Sequence, residues 1–192
     1  MFQLKADTPP QWVEVVLMDL NRFLVDHAAC ERKANATALS LIAKYPHQSE
    51  LVHLMMSLAQ DELAHFAQVT EIIYQRGGTL GSDSKDPYVN ALLSLCSHSA
   101  QGHLLDRLLL FGIIEARGCE RFLILSEALK TIDPTLSTFY FDLVKAEARH
   151  HATFLHLVKS QYQEQVWKNR LDELLEAEAK IILSLPFTGH LH

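Results

Sequence analysis

Residues 59–69, AQDELAHFAQV, and residues 145–154, KAEARHHATF, each place a glutamate three positions before a histidine: Glu62 with His65, and Glu147 with His150. On a helix, positions i and i+3 share a face, so each pair can offer a carboxylate oxygen and an imidazole nitrogen to one ion. The spacing alone is a weak signal. In a chain with 11 histidines and many glutamates it arises by chance about once, and a further copy, Glu50 with His53, is present.

The surroundings of the two segments discriminate. Pro46 interrupts the helical run before the first, and Thr131-Ile132-Asp133-Pro134 the run before the second, so each segment is the returning arm of an antiparallel helix hairpin. Residues level across a hairpin are symmetric about its turn. Glu31 is level with Glu62 about Pro46-His47, and Glu115 is level with Glu147 about Thr131. The halves also repeat: Glu31 to Glu115 is 84 residues, and Glu62 to Glu147 and His65 to His150 are 85 each. Glu50 would lie level with Ala43, which has no carboxylate, and with His53 it reads as solvated surface.

Each candidate interrupts an apolar stripe, as Glu115 does among Leu104, Leu108, Phe111, Gly118, Phe122 and Leu125. A carboxylate there is costly to bury unless a cation or proton compensates it. Glu120 is rotated off that stripe, beside Arg117 and Arg121, and His151 is a weaker rival to His150. Taken singly, any one of these residues is most simply a surface acid or a core histidine. The agreement of six is not.

The rest of the chain supports an all-α fold. With 192 residues, 48% hydrophobic, it is long enough for one domain with its own core, and only 7 Gly and 6 Pro punctuate stretches rich in Ala, Leu, Glu and Gln. Helices are expected from Gln11 to about Leu20 after an N-cap at Thr8, then over 21–43, 49–76, 88–98, 102–130, 135–162 and 164–185. GGTLGSDSKDP, from Gly77, reads as an exposed loop within a long crossover between the two hairpins. The expectation is a ferritin-like four-helix bundle with extra short helices and a C-terminal fifth helix, in a single domain over 1–192.

Cys30, Cys96 and Cys119 form no C-x-x-C pair, which indicates neither a disulfide framework nor a zinc ribbon and suits a reducing cytoplasm. MFQLKADTPPQWVEV lacks a basic segment followed by an apolar run, and no long apolar window appears, so no membrane segment is expected. The net charge of −6 does not favour non-specific nucleic-acid binding, though it allows a local basic patch.

Four carboxylates and two histidines are hard and borderline ligands that suit iron or manganese, and the absence of thiolates argues against zinc. One Glu from each of two helices with Glu-x-x-His from the other two is the carboxylate di-metal arrangement, with Glu62 and Glu147 as natural bridges. Asp61 is either an acceptor that orients a ligand histidine or a surface acid.

Four segments, DHAACERKANATALSLI, AQDELAHFAQV, LLLFGIIEARGCERF and KAEARHHATF, resemble bacterial tRNA-(2-methylthio-isopentenyladenosine) hydroxylases, the MiaE family, and the likeness runs over nearly the whole chain from Pro9. The resemblance implies that the family's two iron ions would be held by Glu31, Glu62, His65, Glu115, Glu147 and His150. It also implies O2-dependent hydroxylation of the isopentenyl side chain of the modified adenosine beside the anticodon, at position 37 of tRNA. No nucleotide-binding fingerprint is present, so electrons would come from a separate reductase or ferredoxin. Arg32, Lys33, Arg117, Arg121, Lys145 and Arg149 are the candidates to guide tRNA phosphates, and solvated helix charge is an equally simple reading of each. The competing expectation is a ferroxidase, iron-binding bundle or other di-iron oxidase with no tRNA substrate. A monomer is favoured, and a storage protein would instead have to assemble into a cage.

Overall fold

A computed structural model describes residues 3–83 and 85–192; Met1, Phe2 and Ser84, the last within the expected loop, lie outside the described residues. Among the described residues there are seven helices and no strand: α1 (Gln11–Met18), α2 (Leu20–Lys44), α3 (Ser49–Gln75), α4 (Pro87–Leu93), α5 (Ala100–Leu129), α6 (Pro134–Gln161) and α7 (Glu164–Ser184). The chain divides into two compact units.

The first unit, Glu14–Ser84 with Thr188–Leu191, is built on the α2/α3 hairpin. Asp19 caps α2 by accepting from the Arg22 amide at 3.0 Å. Phe23, Leu24, Ala28, Ala38 and Leu41 of α2 are buried, as are Leu51, Met55, Leu58, Ala59, Val69 and Ile73 of α3, at the three- and four-residue spacing of one helix face. The Asn35 side-chain amide donates to the Ala59 carbonyl at 2.6 Å and fixes how far the hairpin arms slide past each other. Gly77 ends α3 at φ +75, in the left-handed region a side chain disfavours. The Leu191 amide donates to Asp26 at 2.8 Å and ties the end of the chain to α2.

The second unit, Met1–Val13, Lys85–Phe187 and His192, contains the α5/α6 hairpin with α4 and α7. Asp133 caps α6, accepting from the Leu136 amide at 3.0 Å, with Pro134 in the first turn where no N–H is missed. Ser126 and Ser137 each donate to the other's carbonyl, at 2.9 and 2.8 Å, and hold α5 and α6 level. Phe111 meets Phe154 and Phe122 meets Tyr140, with ring centroids 5.7 and 5.4 Å apart.

The helices fall within a residue or two of expectation except α4, which stops at Leu93 rather than running to His98. The cause is long-range. Asp106 of α5 accepts from the Ser97 amide at 2.7 Å, and Arg170 of α7 donates to the Leu95 carbonyl at 2.9 Å, so the backbone that would continue α4 is held by other helices. Thr8 is also not the expected cap: its amide and hydroxyl both donate to Glu120, at 2.9 and 2.6 Å.

Candidate metal centre

In the first unit Glu31 on α2 and Glu62 and His65 on α3 come together. Nδ1 of His65 lies 3.6 Å from Oε2 of Glu31 and 3.7 Å from Oε2 of Glu62, and the ligand atoms of the three residues all lie within 4.8 Å of one another. All three are buried, although a glutamate is seldom enclosed without a compensating partner. The helix places Glu62 and His65 on one side, and the hairpin register brings Glu31 opposite.

The second unit repeats the pattern. Nδ1 of His150 lies 3.7 Å from Oε2 of Glu147, three residues back on α6, and 4.0 Å from Oε2 of Glu115 on α5. These residues too are buried. Two carboxylates and one imidazole converge in each unit, with no thiol among them, and this donor chemistry fits a hard or borderline divalent ion such as iron.

The rivals are otherwise engaged. His151 is turned to the Gly112 carbonyl, 2.8 Å from Nδ1, and burial lowers its pKa. Glu120 accepts from Thr8 and from Arg117. Glu50 and His53 are exposed, as expected, and Asp61 is half-buried.

Two of the expected phosphate guides are overturned. Arg117 is 0% and Arg121 4% exposed. Arg117 donates to Oε1 of the equally buried Glu178 through Nε and Nη2, at 3.0 and 2.7 Å, and also to Glu120, the Thr8 hydroxyl and the Ala6 carbonyl. Burial lowers the Arg117 pKa, but Glu178, Tyr88 and Glu120 outweigh it and hold the guanidinium above its ordinary value. Arg121 stacks 4.9 Å over the Trp12 ring, and burial brings its pKa down to about 10, which still leaves it charged at neutral pH. Arg117 neutralises interior acids, and neither buried cation is placed to face a polyanion. Arg32, Lys145 and Arg149 are exposed and Lys33 is half-buried.

Sequence reasoning missed His27. Its Nε2 lies 2.6 Å from Oε1 of Glu31, and both residues are buried. The i,i+4 pair in DHAACE was the available signal.

An all-α chain that twice sets a glutamate against Glu-x-x-His across a helix hairpin has the ferritin-like fold and a donor arrangement that could hold metal. More narrowly, the chain belongs to the MiaE family: the family model described as tRNA-(MS[2]IO[6]A)-hydroxylase (MiaE) matches residues 2–192. A tRNA 2-(methylsulfanyl)-N(6)-isopentenyladenosine(37) hydroxylase of Pseudomonas putida is 38% identical, the match covering 95% of this chain and 87% of the relative. One of the same name from Salmonella typhimurium is 28% identical over 94% of this chain and 84% of its own length. Among solved structures, a Synechococcus protein described as having aldehyde deformylating oxygenase activity superposes with a TM-score of 0.94 at 32% identity, covering 100% of this chain and 96% of that one. Membership of a hydroxylase family makes this chain an enzyme, and it favours tRNA hydroxylation over the ferroxidase alternative.

Proposed function

We propose that this enzyme hydroxylates the isopentenyl side chain of 2-methylthio-N6-isopentenyladenosine at position 37 of tRNA, with 1–192 acting as a single ferritin-like domain. The observation that carries this reading is the end-to-end family match, joined to two buried Glu/Glu-x-x-His half-sites in the same chain. Glu31, Glu62, His65, Glu115, Glu147 and His150 together would hold two iron ions. When bound, these would supply the activation of O2 by which one oxygen atom enters a C–H bond and the other leaves as water.

That balance needs two electrons and two protons, and the electrons would come from a separate reductase or ferredoxin. The chain's own residues have three tasks. The six ligands would fix the ions, the surrounding apolar side chains keep bulk water from the reacting centre, and basic residues at the surface meet the tRNA backbone. Arg32, Lys33, Lys145 and Arg149 remain the candidates for the last task. No described helix is long and apolar enough to cross a membrane. A monomer acting in the cytoplasm, where tRNA is found, completes the reading.

The test is metal content set against turnover. The loaded wild type should hold close to two iron ions per chain, and Glu115→Ala should abolish tRNA hydroxylation while retaining helical circular dichroism. A Glu115→Ala protein that still hydroxylates at the wild-type rate would remove this site assignment.

A further inference from the structure

The two oxygens of Glu31 face different partners. Oε1 lies 2.6 Å from Nε2 of His27, one turn back on α2, while Oε2 lies 3.6 Å from Nδ1 of His65. The pair is enclosed, His27 at 0% and Glu31 at 4% exposure, and the His27 ring lies against Phe23 with centroids 6.1 Å apart. Both members sit on one helix at i,i+4, so the backbone of α2 alone brings them together.

We propose that His27 is a positioning residue for the metal centre: its Nε2–H donates to Oε1 of Glu31 and commits that carboxylate to bind an ion through Oε2 alone. The inference rests on the reading of Glu31 as a ligand. A carboxylate bound through one oxygen and hydrogen-bonded through the other can neither rotate freely nor chelate, and a short contact to a carboxylate in a dry interior is among the stronger hydrogen bonds available to it. Partners of this kind behind a ligand set its orientation, and their loss typically costs about 10- to 100-fold in metal affinity. Because the His27–Glu31 pair is intrahelical, the ligand is held in place before any ion arrives.

The experiment is an anaerobic Fe(II) titration of wild type, Glu31→Ala, His27→Leu, His27→Asn and His27→Gln, with the visible spectrum of each Co(II)-loaded protein as a second readout. Glutamine places its amide nitrogen near the position of Nε2, whereas the amide of asparagine stops short of Glu31. His27→Leu and His27→Asn should weaken binding by about 10- to 100-fold and change the Co(II) bands, and His27→Gln should stay within about threefold of wild type with an unchanged spectrum. Wild-type affinity in His27→Leu or His27→Asn, with binding lost in Glu31→Ala, would overturn the positioning role and leave the ligand standing. Wild-type affinity in Glu31→Ala would remove the ligand assignment and the proposal with it. Should His27→Leu not fold, the two amide variants carry the comparison, and equal affinity in them would overturn the proposal.

Discussion

Removing the Glu178 side chain should be strongly destabilising. Its Oε1 accepts from Tyr88 Oη at 2.9 Å and from Arg117 Nε and Nη2 at 3.0 and 2.7 Å, and Glu178, Arg117 and Tyr88 are each 0% exposed. Glu178→Ala would leave a buried guanidinium without its main counter-charge and a buried phenol without its acceptor. Breaking a buried pair from one side costs about 3–5 kcal/mol. Because Arg117 keeps Glu120, Thr8 and the Ala6 carbonyl, the lower end, about 3 kcal/mol, is expected here. In a chain of this length that corresponds to a fall of roughly 6–12 °C in melting temperature.

The conservative change tests the same reasoning. Glu178→Gln keeps Oε1 but sets an amide nitrogen where Oε2 is now buried without a hydrogen bond, so it should cost about 1–3 kcal/mol. The double variant Arg117→Met with Glu178→Leu should recover most of the loss, since well-packed apolar side chains often replace a buried ion pair at little cost. The assay is denaturant unfolding followed by circular dichroism on metal-free protein, because a bound ion would add its own stabilisation. A loss below about 1 kcal/mol for Glu178→Ala would refute the reasoning.

Three further outcomes are expected. Burial, and then the charge of Glu147, push the Cys119 thiol up to about 12, so at pH 8 iodoacetamide should modify Cys30 and Cys96 in the native protein and reach Cys119 only on unfolding; prompt native labelling of Cys119 would contradict its burial. Residues 77–83 are exposed and follow the end of α3, so limited proteolysis should cut there first, and an initial cut inside α5 would contradict the packing of the second unit. Lys145→Ala and Arg149→Ala should weaken tRNA binding most at low salt and each make its salt dependence shallower by about one counterion, whereas an unchanged slope would exclude them as phosphate contacts.

The features legible in the sequence are those set by local periodicity. Pro46 and Pro134 mark the hairpin turns, and once the turns are known the level pairs Glu31/Glu62 and Glu115/Glu147 follow, because helix geometry is nearly invariant. What could not be read depends on partners far along the chain. Arg117 looks like a solvated helix cation until α7 presents Glu178, 61 residues away, and Thr8 looks like a cap until Glu120 of α5 takes its hydroxyl. Likewise α4 reads as helical to His98 because its competitors, Asp106 and Arg170, act from other helices. His27 was locally readable, but a histidine four residues before a glutamate has too many ordinary meanings to single it out before Glu31 is known to be enclosed.

Whether iron held by this chain serves the oxidation of a tRNA base is decided by isotope labelling. Reduced, iron-loaded protein would be given labelled O2 and tRNA from cells lacking this modification, and the nucleosides then analysed by mass spectrometry. One labelled oxygen atom is expected in the side chain of 2-methylthio-N6-isopentenyladenosine, present with wild type and absent with Glu62→Ala or Glu147→Ala. Protein that holds two iron ions and consumes O2 but leaves that nucleoside unlabelled would contradict it.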